Sequence, residues 1–152
     1  MSIQLPLEGG CMCGEIRMRI SLAPLITMAC HCKGCQKLSA SAFSLSALIP
    51  ANGFEVSKGE PIVGALHGEN PYMYCPRCFN WLYTRLAGVN AFVNVRPTLF
   101  DAPEWATPFI DSKVEEKLPW AKTSARHSFE NFPAPDQYGP LMAEYAAQVG
   151  KA

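Results

Sequence analysis

The sequence lacks any run of lysine and arginine that could track a phosphate backbone, and its 13 basic and 13 acidic residues cancel to a formal charge of zero. Nucleic acid is therefore a poor partner. It also lacks a long apolar stretch: nothing approaches the roughly 18 residues of a membrane span. The first ten residues, M-S-I-Q-L-P-L-E-G-G, have neither the basic start nor the apolar core of a secretory leader. These absences predict a cytoplasmic chain without a membrane partner, in which thiols stay reduced. There is no internal repeat and no low-complexity tract. No Gly-Lys-Ser/Thr follows Gly9 and Gly10, so that pair is no phosphate loop and reads as a turn. Asp101 and Glu104 flank Pro103 in an expected loop, and no carboxylate pair is set up for general acid–base work.

What is present is a chain of 152 residues, 49% hydrophobic and 17% charged. That balance suits one globular domain with a real core. Thirteen prolines and eleven glycines suit short strands and turns rather than a helical bundle. Strands are expected at Glu15 to Ile20, Leu25 to Ala29, Phe43 to Ile49, Phe54 to Ser57, Ile62 to Leu66, Tyr72 to Tyr74, Leu82 to Arg85 and Phe92 to Val95. In the third of these Ser44 and Ser46 share one face. A short helical turn is expected between Cys32 and Ala42. An amphipathic helix is expected in the tail, 133–152, on the spacing of Tyr138, Leu141, Met142, Tyr145 and Val149. Gly139 and Pro140 mark its start and Gly150 its stop. It either packs on the body, residues 1–132, or makes a dimer contact, so both monomer and homodimer stay open.

Seven cysteines fall into three clusters: Cys11 and Cys13 in G-G-C-M-C-G, Cys30, Cys32 and Cys35 in C-H-C-K-G-C, and Cys75 and Cys78 in C-P-R-C. Neighbours this close strain a disulfide but bring sulfurs onto one tetrahedral ion. The odd count and the reduced compartment also favour zinc over disulfides. Four thiols divide from three. Cys11, Cys13, Cys75 and Cys78 would close a site that ties remote strands together. Cys30, Cys32 and Cys35 would leave a fourth position vacant. Zinc with three thiolates carries a formal −1, is a weak Lewis acid toward water, and suits an incoming sulfur.

His31 has two readings, a proton relay beside the metal or a packed turn residue. Ser39 and Ser41 would hydrogen-bond a substrate or serve as turn hydroxyls. His67 reads as a surface or core residue and His127 as solvated. Trp81, Trp105 and Trp120 would wall a pocket or fill the core.

G-G-C-M-C-G-E-I-R (Gly9 to Arg17), C-H-C-K-G-C-Q-K-L-S-A-S-A-F (Cys30 to Phe43) and C-P-R-C-F-N-W-L-Y (Cys75 to Tyr83) occur in an order that resembles the glutathione-dependent formaldehyde-activating family, which includes centromere protein V. The resemblance implies a mainly β, β-tent fold of short antiparallel strands around zinc sites. It implies a structural zinc at Cys11, Cys13, Cys75 and Cys78 and a catalytic one at Cys30, Cys32 and Cys35. It implies a carbon–sulfur lyase joining glutathione to formaldehyde; a non-catalytic zinc-stabilised or thiol-sensing module is the alternative. The family places Gly after the C-x-x-C pair, where this chain has Phe79 at a position that favours positive φ.

Overall fold

The computed structural model describes residues 3–149, apart from the side chains of Leu66 and His67. The expected helix stop at Gly150 and the role of His67 lie outside the described residues. In chain order the elements are β1 (Leu7–Gly10), β2 (Arg17–Ile20), β3 (Ile26–Cys30), α1 (Lys33–Ser39), β4 (Ser44–Pro50), β5 (Phe54–Lys58), β6 (Ile62–His67), β7 (Asn70–Tyr74), β8 (Trp81–Arg85), β9 (Phe92–Val95), β10 (Ile110–Ser112), β11 (His127–Ser128) and α2 (Tyr138–Val149). All eight expected strands form. The protein is mainly β with a C-terminal helix, as the resemblance implies.

Two sheets divide the strands. A small antiparallel sheet runs β1-β2-β5, and a large one runs β11-β10-β3-β4-β9-β8-β7-β6. The large sheet is antiparallel except at one end, where β10 pairs parallel to both β3 and β11. Period-two alternation gives its central strands two different faces. Ala47 and Ile49 of β4 and Val93 and Val95 of β9 join Met18 and Ile20 of the small sheet in the main core. The alternate residues, Ser44, Ser46 and Leu48 with Phe92 and Asn94, line a cavity on the other face.

A second core forms under α2, where Leu141 and Tyr145 pack on Ile26, Leu48, Phe109 and Ile110. Burying two large side chains contributes about 2 kcal/mol each relative to exposure. The tail helix therefore sits on the body, as one of its two readings had it. Among the described residues no helix is long and apolar enough to cross a membrane.

Gly9 and Gly10 depart from expectation: they end strand β1 rather than forming a turn. Gly9 lies in a bridge to Phe100. A side chain there would run into the backbone of Leu99 and Phe100. Glycine in a strand is what such a close approach requires.

Candidate functional site

The four-cysteine cluster joins two turns. Cys11 follows β1, and its sulfur accepts the Ile16 N–H at 3.2 Å. Cys75 follows β7 and its sulfur accepts the Arg77 N–H at 3.4 Å. Asn80 Oδ1 ties the turns together by accepting the Met12 N–H at 2.7 Å. The sulfurs of Cys11 and Cys13 are 3.5 Å apart, and those of Cys13 and Cys75 are 3.7 Å apart. Around one tetrahedral zinc with Zn–S of about 2.3 Å, the edge would be about 3.8 Å. The donor set and its spacing fit the ion. Phe79 takes φ +56°, as its position predicts, at a cost of about 1 kcal/mol. Its ring is 65% exposed, so it does not fill space beside the sulfurs.

The second cluster is built where β3 runs into α1. Cys30 ends the strand, Cys32 caps the helix and Cys35 lies in its first turn. The Cys35 N–H donates to Cys32 Sγ at 3.3 Å. The three sulfurs lie within 4.8 Å of one another, and no fourth His, Cys, Asp or Glu joins them among the described residues. With the thiols unligated, a hydrogen bond from Cys35 pulls Cys30 down to about 5 against the opposing effect of burial, with help from the Ser112 hydroxyl. The same hydrogen bond, with burial, pushes the Cys35 thiol far up. One thiolate is favoured at Cys30, while burial and that charge keep the Cys32 and Cys35 thiols up, so an ion arriving there would have to displace their protons.

Behind the loop lies a clamp that sequence reasoning missed. His31 is fully buried, its Nε2 3.1 Å from Asp111 Oδ1 and its ring 5.2 Å from that of Phe43. The Nε2 approach is short but poorly aligned for a hydrogen bond. His31 is not among the residues that line the cavity above the three sulfurs, and its contacts with Asp111 and Phe43 are those of a packed residue. Asp111 also meets Lys117 Nζ at 3.1 Å and accepts from the Thr123 hydroxyl at 2.8 Å. Gln36 Nε2 donates to the carbonyls of His31 and Glu116 at 2.7 and 3.0 Å, and Glu116 accepts the Lys33 N–H at 2.7 Å. The cysteine loop is thereby fixed to the segment 111–117.

Burial alone would raise the Asp111 carboxyl. The Thr123 hydroxyl, His31 and Lys117 outweigh it and hold the group below its ordinary value. A carboxyl depressed in the folded state adds stability above its unfolded value of about 4, and that stability is lost as pH falls through the folded value. Asp111→Asn is expected to cost about 3 kcal/mol at neutral pH, because a buried ion pair loses one partner. Lys117, partly exposed, holds the cost at the low end of the range. Denaturant melts at pH 7 and below pH 4 check this: the deficit should shrink in acid, and equal deficits at both would count against it.

Above the three sulfurs opens a cavity of about 570 Å³, lined by residues of β3, β4, β7, β8, β9 and α2. The expected substrate serines are not there. Ser39 Oγ donates to the carbonyls of Cys35 and Phe43 at 2.7 and 3.1 Å, and Ser41 is exposed beyond the helix. The Ser39 contacts match the turn-hydroxyl reading. Ser44, Ser46 and Ser112 line the cavity instead. Trp81 forms part of its wall, whereas Trp120 is 70% exposed and Trp105 stacks edge-on to Phe100. His127 is half-buried rather than solvated, 3.0 Å from Glu144.

Arg96 is the other residue that sequence reasoning missed. It is 7% exposed, lines the cavity and lies with its Cζ 3.8 Å from the Trp81 ring centroid. Alternation along β9 marks the cavity face at Phe92 and Asn94 and continues to Arg96. Nothing in V-N-V-R-P alone reveals that the cation is buried.

A family model described as glutathione-dependent formaldehyde-activating enzyme matches residues 6–115. A crystal structure of a Rhodobacter sphaeroides protein shares the fold, with a TM-score of 0.53 and 15% identity over 62% of this chain and 88% of that one. No curated protein matches the chain significantly.

Proposed function

The chain belongs to the glutathione-dependent formaldehyde-activating enzyme family, and on that premise we propose that it is a zinc-dependent carbon–sulfur lyase acting on thiol adducts. One observation supports this reading most. Three sulfurs within 4.8 Å of one another sit on the wall of a cavity large enough for a small molecule. The alternative, a non-catalytic zinc-stabilised module, calls for a protein side chain that closes the three-sulfur centre. No His, Cys, Asp or Glu among the described residues is placed to do so.

Two zinc ions per chain are proposed, one held by Cys11, Cys13, Cys75 and Cys78 and one by Cys30, Cys32 and Cys35. When bound at the second site, zinc supplies a soft cation that lowers the pKa of an incoming thiol and orients its sulfur. The chain's own residues do the rest. The clamp on Asp111 and Glu116 fixes the loop, and the Ser112 hydroxyl supports charge at Cys30. The apolar walls limit water around the reacting atoms. In the synthetic direction a sulfur–carbon bond forms at the aldehyde carbon. The carbonyl π pair moves to oxygen, and that oxygen takes the proton the thiol gives up. Breakdown of the hydroxymethyl adduct is the same step reversed. Glutathione and formaldehyde are the reactants the family suggests.

Metal content and cobalt substitution test this. Two metals per chain are expected, and added thiol should change the sulfur-to-cobalt absorption of one of them. A single metal per chain, or a spectrum indifferent to every thiol, would overturn the proposal.

A further inference from the structure

We propose that the substrate is a thiol, or thiol adduct, with an apolar body and a single carboxylate that seats on Arg96. This rests on the thiol-lyase reading and narrows its substrate class.

Cysteines aside, Arg96 is the one charged side chain among the described residues that line the cavity. Its Nη1 donates to the Leu45 carbonyl at 3.3 Å, and its face stacks on Trp81. Its Nε is buried and has no hydrogen-bond partner among the described residues. Burial pulls the guanidinium down to about 10, so it remains a cation at neutral pH. A buried cation without a carboxylate partner is costly to maintain, and an arriving anion relieves that cost. The planar fork suits a carboxylate, which accepts two parallel N–H bonds. On the same face of the strand, Asn94 Oδ1 is also buried without a partner. As an acceptor it calls for a donor on the ligand, such as the hydroxyl of a hydroxymethyl adduct, and leaves the carboxylate to Arg96.

The rest of the cavity dictates the body of the ligand. Met28, Leu48, Trp81, Phe92, Phe132 and Met142 wall it. No aspartate or glutamate is among the described lining residues. Glutathione carries two carboxylates and an ammonium. Arg96 would match one carboxylate, and the other two charges would lose water without an opposite charge inside. A monoanionic thiol with an aromatic or branched apolar body has no such mismatch.

The test uses the zinc-loaded wild-type chain and calorimetric titration with three thiols: 2-sulfanyl-3-phenylpropanoate, its carboxamide, and glutathione. The carboxylate is expected to bind about tenfold or more tightly than the carboxamide, the range of a charge-assisted hydrogen bond. It should also exceed glutathione. In Arg96→Gln the carboxylate should fall to the level of the carboxamide, whose own affinity should not change. Arg96→Lys should retain part of the preference. If Arg96→Gln does not fold, the two probes on the wild-type chain decide the matter. Equal affinities for them, or tighter binding of glutathione, would overturn the substrate class and leave the lyase reading standing. Equal weakening of both probes in Arg96→Gln would mean that Arg96 balances the thiolate charge instead, and would also overturn it. Binding of none of the three thiols would overturn the lyase reading and this inference together.

Discussion

Cys75→Ser is expected to release one metal ion and to lower stability by about 3 kcal/mol or more. A structural zinc contributes about 10–16 kcal/mol of apparent binding energy in small zinc domains; a chain with its own apolar core loses only part of that when the ion leaves. Total stability for a domain of this kind is about 5–15 kcal/mol, which puts the variant near the edge of folding. Cys75 is fully buried in the main core, so the smaller serine would also leave space unfilled among apolar groups. The measurements are metal content and a denaturant melt in zinc-replete buffer. A variant that kept two metals and melted with the wild type would refute the structural assignment.

Cys32→Ser is expected to do the reverse. It should release one metal and abolish turnover while the melt stays within about 1 kcal/mol of wild type. Serine caps helices well, so it can take over the cap that Cys32 provides for α1 by accepting the Cys35 N–H. The loop has independent anchors in Gln36, Glu116 and Asp111. Loss of a catalytic metal removes several kcal/mol of transition-state stabilisation, or about 10³-fold in rate. Unfolding with loss of both metals would remove the distinction between the two centres.

The parts of this molecule legible in the sequence are those written in short-range patterns. Alternation located β2 and β4, short apolar runs between turn signals located the other strands up to β9, and cysteine spacing grouped both sets of sulfurs. The expected φ at Phe79 follows from the glycine that the family places there. The alternation of Ser44 and Ser46 was visible too, but not that the polar face would line a cavity. What was not legible depends on residues remote in sequence. Ile110, Asp111 and Ser112 of β10 are all buried, so the strand shows no alternation, and its parallel pairing with β3 follows from no local signal. Asp111 matters because Thr123, Lys117 and His31 converge on it, and none of those neighbours is marked by spacing. Arg96 reads as an ordinary strand-end cation until Trp81 is seen to cover it. Ser39 and Ser41 were plausible by proximity to the cysteines, but the direction of α1 carries them away from the sulfurs.

The pairing of β10 with β3 also sets an order of events during synthesis. Ser112 and its hydrogen-bond partner Ala29 are 83 residues apart. At roughly 5–20 residues per second the ribosome needs about 4–17 s to span that interval. Throughout it Cys30, Cys32 and Cys35 are exposed on a nascent chain without the strand that will hold them. Cys13 likewise waits for Cys75, 62 residues later. The four-cysteine cluster is therefore completed late and the three-cysteine loop gains its backing later still, so the first thiols are made well before the strands that will hold them.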